Sequence, residues 1–490
     1  MLFNSFEFLV FFPSVAIIYF LLPHRVRWLV LLVASYAFYV FWKPEYILLI
    51  LASSLISFFI AIRIEDEPDQ KLRRRLLILG ISTIIGILLI FKYFNFINEN
   101  FRAIFQALGV VYPVSDHKLV IPLGISFYTF QILGYIIDVY QKRIKSERNS
   151  RVYFQFVAFF PQLAAGPIER ARNMLPQFTK SQTFDYDRIV NGLLRIAWGF
   201  FKKLVIADRL ALLVNAIYDN PTQFTGSLLI LATYAFAIQI YCDFSAYSDI
   251  AIGAARILGF NLMENFKLPY YSKSIPDFWR NWHISLSTWF RDYIFYPLRR
   301  SMLRTKNPHP AQLSALIIPP MITMLLSGLW HGASWTFVIW GFVHGVLIVF
   351  ANIWNQNLKT KTRYIQLPKS LETGLGIFLT FNIVSFTWIF FRANSLGDAW
   401  YIVNHLFVNL RFSSLGIGSI MPGGKYELLI ALCAIFLMEV IHILQFRNID
   451  LRAYSIRLPI WMRWAAYYVL VLAILIFGMF GLSEFIYIQF

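Results

Sequence analysis

Charged side chains are scarce in this sequence. Of its 490 residues only 14% are Asp, Glu, Lys or Arg, whereas 58% are hydrophobic, and the mean hydropathy is +0.59. A soluble globule of this length needs more charge than this to cover its surface. The composition therefore excludes an ordinary soluble protein and favours a protein of the lipid bilayer.

Cysteines and the common catalytic motifs are also scarce or missing. The two cysteines, Cys242 and Cys433, both lie in apolar segments, so they make neither a disulfide framework nor a metal site. The chain has no Walker-type Gly-Lys-Ser loop, dinucleotide glycine fingerprint, zinc-ligand spacing or Gly-x-Ser-x-Gly elbow. These absences argue against an ATP-driven pump and a covalent serine hydrolase. We expect no metal and no tightly bound cofactor.

Long apolar runs recur along the whole chain. Such runs cross a hydrocarbon core of about 30 Å, and in lipid the backbone must satisfy its own hydrogen bonds, which favours helices. We predict an all-α, polytopic membrane protein with roughly 11–14 membrane helices, of which the first run is a retained span. The clearest spans are residues 8–22, 28–42, 46–62, 76–94, 120–140, 188–217, 226–257, 311–330, 334–353, 373–391, 427–445 and 462–482.

Three segments depart from this pattern. Residues 152–164 and 262–298 mix aromatic side chains with charges and prolines, which suits short, tilted or re-entrant helices buried by other protein. Apolar residues at steps of three and four predict an amphipathic helix in the membrane interface; they are Phe94, Ile97, Phe101, Ile104 and Leu108. Since no repeat, low-complexity tract or soluble domain is visible, residues 1–490 are predicted to form one membrane domain.

The positive charge of the chain follows its predicted loops. The formal charge of +18 comes from 44 Lys and Arg against 26 Asp and Glu, and in a membrane protein basic cytoplasmic loops explain it better than nucleic-acid binding. If the N-terminus is outside, twelve basic residues fall in the first inside loops, against three (Lys43, Arg102, Lys118) in the alternate loops. The twelve are Arg25, Arg27, Arg63, Lys71, Arg73, Arg74, Arg75, Lys142, Arg143, Lys145, Arg148 and Arg151. We therefore predict an extracytoplasmic N-terminus.

A first candidate site lies in residues 307–358, which contain no Asp, Glu, Lys or Arg. His309, His331 and His344 fall within this stretch, and His331 is near its middle. An ionisable group at membrane depth is costly unless it has a partner or lines a cavity, so His331 is a functional candidate. A neutral histidine hydrogen-bonded between helices is the alternative. His344 would lie roughly 220° further around a continuous helix, and we assign it a packing role.

The residues around His331 are small or aromatic. Ser327, Trp330 and Ser334 accompany glycines and an alanine over residues 327–334. Small residues allow close backbone approach or a passage for a ligand. We therefore expect these three residues to support His331 or to line a tunnel.

A second candidate lies in residues 277–293. Trp282, His283, Arg291 and Asp292 occur there among further tryptophans and charges, and no soluble amphipathic pattern fits the segment. An interfacial aromatic belt with snorkelling arginines explains the tryptophans and arginines. It leaves His283 unexplained, so His283 is a candidate for chemistry.

A third polar group, which includes Tyr241, Asp243 and Asp249, interrupts an apolar helix. The two aspartates are six positions apart and lie on different sides of a regular helix, which argues against a paired-carboxylate acid–base site. We expect them to orient neighbouring helices or to line a tunnel wall.

At these residues the sequence resembles the membrane-bound O-acyltransferase (MBOAT) family, specifically its bacterial alginate O-acetylation branch. The resemblance extends over nearly the whole chain. It rests on residues 1–5, 122–131, 160–168, 241–249, 279–293, 328–332 and 390–393. It implies that His331 of the Trp-His-Gly motif is the essential catalytic residue deep in the membrane and that His283 is the second characteristic position. Ala246 stands where related sequences often have glycine.

The resemblance also implies a reaction. We expect helices around a central tunnel in the cell inner membrane, with acetyl-CoA as the cytoplasmic donor and an exported polysaccharide as the acceptor. Alginate, another exopolysaccharide and peptidoglycan remain open, and an extracytoplasmic acetyltransferase is an expected partner. Basic residues at the inner mouth would suit the donor's phosphates; they are Arg299, Arg300, Arg304 and Lys306.

Two other classes compete with this interpretation. A transporter or flippase of a lipid-linked or acyl intermediate also needs many spans and a polar midplane, but such folds often show inverted repeats, and we find none. A non-catalytic scaffold for polysaccharide export would explain the aromatic residues but not the two histidines.

Overall fold

The computed structural model describes residues 1–117, 120–304, 308–354, 368–410, 420–421, 423–481 and 485–486. These residues form helices, turns and loops, and no β-strand occurs among them. The predicted all-α class is confirmed. In chain order the helices are α1 (Phe6–Leu21), α2 (His24–Val40), α3 (Ile47–Asp66), α4 (Gln70–Leu88), α5 (Phe94–Ala107), α6 (Ile125–Tyr140), α7 (Ser150–Ala158), α8 (Phe160–Leu163), α9 (Ala171–Thr179), α10 (Tyr186–Phe200), α11 (Asp208–Tyr218), α12 (Ser227–Leu258), α13 (Ile275–Asn281), α14 (Ile284–Phe290), α15 (Tyr296–Leu303), α16 (Pro308–His331), α17 (Trp335–Ile353), α18 (Lys369–Arg392), α19 (Leu396–His405), α20 (Lys425–Phe446), α21 (Leu451–Arg457) and α22 (Ile460–Phe477).

The lengths and composition of these helices make the chain a multi-pass membrane protein. Eight helical stretches in the described part of the chain are long and apolar enough to cross a bilayer. The predicted total of 11–14 also counted shorter helices, among them α1, α2 and α6, which have 16, 17 and 16 residues. The eight stretches are Pro44–Asp66, Gln70–Ala107, Ser227–Leu258, Gln312–His331, Trp335–Ile353, Lys369–Arg392, Lys425–Phe446 and Ile460–Phe477.

The segments predicted to be irregular do form short helices. Residues 152–164 fall in α7 and α8, and residues 262–298 include α13, α14 and a π-helical turn, Arg291–Phe295. The predicted amphipathic segment is α5, and it continues α4 through a second π-helical turn, Leu89–Tyr93. Its apolar face is exposed, with Phe101 49% and Leu108 70% accessible, which suits a surface that contacts lipid.

The start of α6 differs from the predicted span 120–140. Gly124 precedes the helix with φ of 69° in the left-handed region, and a Cβ atom there would lie 2.1 Å from the backbone oxygen of Leu163. Only glycine fits this close approach. The helix therefore begins at Ile125 rather than at residue 120.

The chain forms two compact units. The first contains Met1–Arg195 and Ile250–Met263, and the second contains Ile196–Asp249 and the described residues from Glu264 onwards. The predicted single domain over residues 1–490 stays a prediction.

In the first unit, the basic segments predicted to be cytoplasmic contact one another. Arg148 bonds to Asp66, and the backbone N–H of Ser146 donates to Glu65 at 2.9 Å. The Arg151 guanidinium lies 4.6 Å from the centre of the Trp28 ring, beside the loop that joins α1 to α2. These contacts group the three basic segments, as alternating loops require.

The segments of the first unit that are predicted to be extracytoplasmic also contact one another. The Met1 ammonium donates to the Phe38 carbonyl at 3.4 Å, close to the end of α2. The Tyr46 hydroxyl, just before α3, donates to the Val120 carbonyl at 2.7 Å. The predicted orientation is consistent with this grouping, and which group faces the cytoplasm stays a prediction.

The second unit has an aromatic core. The side chains of Trp282, Trp340 and Trp388 are fully buried. The Trp388 ring lies 5.1 Å from that of Trp282 and 5.6 Å from that of Trp340, measured between ring centres. This core joins α17 and α18 to Trp282, which follows α13 and immediately precedes His283.

Candidate active site

His331 is the last residue of α16, and the chain turns back into α17 within four residues. Glycines let these two helices pack closely. A Cβ atom on Gly328 would lie 2.2 Å from the Phe337 backbone oxygen, and one on Gly341 would lie 2.4 Å from the Met324 backbone oxygen. The predicted close backbone approach around His331 is confirmed, because a side chain at either glycine would push the helices apart.

The His331 imidazole is 2% exposed and is surrounded by aromatic rings. The ring centres of Trp330, Trp340 and Phe391 lie 5.0, 5.2 and 5.2 Å from its own. These rings come from α16, α17 and α18. Three helices therefore fix the position of one buried imidazole.

His283 is fully buried and has an unusual backbone conformation. Its φ of 41° is in the left-handed region, and it directly precedes α14. A residue other than glycine in this region costs about 1–3 kcal/mol and persists only where its surroundings hold it. Here Asn265 holds it, because the Asn265 backbone oxygen accepts from Ile284 N–H at 2.9 Å and the Asn265 side chain accepts from Ser285 N–H at 3.3 Å.

The fold brings the two predicted histidines together. Their ring centres are 6.4 Å apart, and the Trp330 ring lies 5.5 Å from that of His283. The Phe244 ring also packs edge-on against His283, with the ring centres 4.6 Å apart. Two imidazoles at this separation can contact one reacting group, which is the geometry needed for proton transfer beside a polarised carbonyl.

Trp282 and Tyr241 pack next to this site. The Trp282 ring contacts those of Phe266, Phe278 and Trp388 at 5.1, 5.4 and 5.1 Å. The Tyr241 ring centre lies 6.4 Å from that of Trp282. Both residues therefore pack beside the segment that carries His283.

Tyr241 also begins a polar chain that the sequence reading missed. Its hydroxyl lies 3.2 Å from His442 Nε2, His442 Nδ1 lies 3.2 Å from Glu439 Oε1, and the Tyr271 hydroxyl donates to Glu439 Oε2 at 2.7 Å. Glu439 and His442 are one turn apart on α20. The available signal was two ionisable residues inside a predicted span, which are functional candidates by default.

The two aspartates of α12 pair with lysines that were not predicted as site residues. Lys203 Nζ lies 2.7 Å from Asp243 and 2.8 Å from Asp208. Lys202 Nζ lies 2.7 Å from Asp249. Both lysines lie in a π-helical segment, Phe201–Ala207, between α10 and α11. Asp243 and Asp249 thus bind the π-helical segment to α12, which accords with the predicted orienting role.

Ser334, Arg291 and Asp292 each have a contact with a residue nearby in the sequence. Ser334 caps α17, its hydroxyl oxygen accepting from Thr336 N–H at 3.3 Å. Arg291 and Asp292 pair with each other at 2.9 Å, and the arginine side chain is 51% exposed. Ser327 is buried on α16, the helix that ends at His331. The supporting role predicted for Arg291 and Asp292 stays a prediction.

His344 has the packing role that was predicted, although the geometric reason was wrong. The predicted angle between His331 and His344 holds only on one continuous helix. In the structure α16 ends at His331 and α17 folds back. His344 is fully buried, with Nε2 2.9 Å from Thr387 Oγ1 and Nδ1 accepting from Trp279 Nε1 at 3.3 Å. His309 and Lys306 lie outside the side chains that the structure describes.

Sequence comparisons identify the family to which this fold belongs. The family model for MBOAT, the membrane-bound O-acyltransferase family, matches residues 151–392, which include both histidines. A "Probable alginate O-acetylase" of Azotobacter vinelandii is 39% identical over 83% of this chain and 78% of its own. A "Peptidoglycan O-acetyltransferase" of Helicobacter pylori is 33% identical over 76% and 72% of the two chains. A "Teichoic acid D-alanyltransferase" of Bacillus subtilis is 32% identical over 56% and 69%.

The fold and the buried histidine pair define a multi-pass membrane protein with a candidate acid–base site. The extent of the matches then settles the family: the chain belongs to the membrane-bound O-acyltransferases. Family and relatives together support an O-acyltransferase activity.

Proposed function

We propose that this protein takes an acetyl group from a cytoplasmic thioester, acetyl-CoA, and delivers it across the inner membrane for O-acetylation of an exported polysaccharide such as alginate. The observation that carries the proposal is a pair of buried imidazoles whose ring centres are 6.4 Å apart: His331, at the Trp-His-Gly turn between α16 and α17, and His283, immediately before α14. The similarity to a probable alginate O-acetylase and to a peptidoglycan O-acetyltransferase supports acetyl as the group and a cell-surface polymer as the acceptor.

His331 is the general base in this proposal. The acceptor hydroxyl is too weak an acid to lose its proton before it attacks the thioester. The His331 imidazole therefore accepts this proton while the bond between the hydroxyl oxygen and the thioester carbonyl carbon forms. The carbon–sulfur bond then breaks, and the same proton passes to the leaving thiolate. General-base catalysis of this kind contributes roughly 10²- to 10⁴-fold. A scheme in which His331 itself briefly carries acetyl uses the same residues.

His283 has a separate role beside the same reacting group. We assign it to hydrogen bonding with the thioester carbonyl, whose oxygen gains negative charge during attack. Its left-handed backbone, held by Asn265, fixes the direction of the imidazole. A strained residue held by its surroundings is typical of a functional position.

The donor and the acceptor need opposite sides of the membrane. Arg299 and Arg300, on α15, and Arg304 at its end are exposed and are candidates for binding the phosphates of the donor. The acceptor side requires an extracytoplasmic acetyltransferase that completes transfer to the polymer. Both assignments follow from the proposed direction of transfer.

The proposal is tested with the acetyl group labelled. Membrane vesicles that contain the protein are supplied with acetyl-CoA labelled in its acetyl carbon, and ester-linked label is released with mild alkali. We expect labelled ester that depends on the protein, and a deletion strain that still makes polymer but without acetate. Loss of the polymer itself from that strain would contradict the proposal and favour the transporter class.

A further inference from the structure

An open pocket of about 280 Å³ lies within the first unit, and its wall is basic and aromatic. None of the side chains that line it is Asp or Glu. The basic lining residues are His24, Arg25, Arg27, Arg151 and Lys180, and the aromatic ones are Tyr19, Trp28, Phe178 and Phe260. Four permanent cations around one small volume repel each other, so a bound anion would lower the free energy of the folded state.

Two helices begin at this pocket. Helix α2 starts at His24 after Pro23, whose side chain makes no cap, and α7 starts at Ser150 with Asn149 as its cap. The first turn of neither helix contains an acidic residue. Helix N-termini carry partial positive charge and favour anions, whereas cations there are unfavourable. The basic residues in these first turns therefore increase a positive potential that already exists.

Two of the arginines are held in place. The Arg27 guanidinium donates to the backbone oxygens of Leu22, Phe20 and Gln182. Arg151 stacks over Trp28 at 4.6 Å, and the Gln155 side chain donates to the Trp28 carbonyl at 2.9 Å. The cationic and aromatic walls of the pocket are thus positioned before any ligand binds, which lowers the entropic cost of binding.

We infer that this pocket binds a phosphate-bearing anion. Arginine guanidinium groups and helix N-termini are the groups that proteins use for phosphate. The aromatic wall offers a surface to the organic group attached to that phosphate. The phosphate comes either from the head group of an anionic lipid or from a soluble phosphate ester, and the pocket lies among the segments that we predict to be cytoplasmic, where both occur. The inference does not depend on the proposed acyl transfer.

The test measures ligand-dependent stabilisation of the purified full chain in neutral detergent, because a ligand that binds only the folded state raises the unfolding midpoint. The probes are dioleoyl phosphatidylglycerol, dioleoyl phosphatidylcholine and inorganic pyrophosphate. The double variant Arg25→Gln/Arg151→Gln removes two pocket cations. Its matched control, Arg74→Gln/Arg75→Gln, removes two exposed cations from another basic segment of the same unit.

We expect the double pocket variant to weaken binding roughly tenfold or more and the control variant to leave it within about twofold. Stabilisation by phosphatidylglycerol but not phosphatidylcholine identifies the head group of an anionic lipid, and stabilisation by pyrophosphate alone identifies a soluble phosphate. If the double variant does not fold, the single variant Lys180→Gln, at an exposed residue of the pocket, tests the inference instead. We expect it to lose less binding affinity than the double variant. No stabilisation by either anionic probe, or equal loss in the control, would overturn the inference.

Discussion

Lys203 is the residue whose replacement should most damage the second unit. Its side chain is 1% exposed, and its ammonium group lies between the carboxylates of Asp208 and Asp243 at 2.8 and 2.7 Å. Lys203→Met keeps the length of the side chain and removes the charge. The buried carboxylates of Asp208 and Asp243 then both lose their ion pair with Lys203. Breaking a buried ion pair by removing one partner costs about 3–5 kcal/mol.

This cost is large relative to the stability of a folded protein, which is about 5–15 kcal/mol. The triple variant Lys203→Met/Asp208→Asn/Asp243→Asn should recover most of it, because the three charges of this cluster are then removed together. Replacing a whole buried ion group by neutral residues is often neutral. The amide introduced by Asp243→Asn would also keep an acceptor for the Ile486 N–H, which now donates to Asp243 at 2.7 Å.

The assay is the free energy of unfolding in mixed micelles, measured for the wild type, the single variant and the triple variant. Asp66→Asn is the control, because the Asp66–Arg148 pair is exposed on both sides and surface pairs contribute little. A Lys203→Met variant within about 1 kcal/mol of wild type would refute the reasoning. So would a triple variant that is no more stable than the single one.

Three further predictions concern packing, orientation and the second histidine. Gly328→Ala should lower the unfolding midpoint, because its Cβ atom would meet the backbone of α17, whereas Gly374→Ala, with nothing within 4 Å, should leave it unchanged; equal effects would contradict the close packing of α16 and α17. Single cysteines at positions 74 and 145, in a variant without native cysteines, should be shielded from an impermeant thiol reagent outside intact cells, and ready labelling of both would reverse the orientation. His283→Ala should reduce acetyl transfer at near-normal membrane abundance, and full activity in this variant would leave His283 a packing residue.

The fold class followed from the sequence because apolar runs of membrane length leave the backbone little choice but helix. Local detail followed less well. Residues 311–330 and 334–353 were predicted as separate spans, yet the position of His344 relative to His331 was worked out for one continuous helix, which the break after His331 rules out. The left-handed conformation of His283 depends on hydrogen bonds that Asn265, eighteen positions earlier, accepts from Ile284 N–H and Ser285 N–H, and no local pattern predicts it.

Part of the site could be predicted from the sequence, because an ionisable group at membrane depth is costly and is therefore rare outside functional sites. His331 stands out because it lies in a stretch without Asp, Glu, Lys or Arg, and His283 stands out because an interfacial aromatic belt does not explain it. The two imidazoles do meet in space. The partners of Asp243 and Asp249 did not stand out, because Lys202 and Lys203 lie about forty positions away in another segment. Sequence spacing gives no information about such pairs, since only tertiary packing brings them together.

The central claim is that His331 transfers a proton during acyl transfer, and one measurement tests it most directly. Ester-linked acetate per sugar residue is measured in a deletion strain that expresses wild type, His331→Gln or the control His344→Gln, with membrane abundance checked by immunoblot. Glutamine keeps a polar contact but cannot exchange a proton, so His331→Gln should lose roughly two to four orders of magnitude in rate, about 3–5 kcal/mol of barrier. The exported polymer should then be made without acetate, whereas His344→Gln should acetylate in proportion to its abundance. Near-normal acetate in His331→Gln at normal abundance would contradict the account.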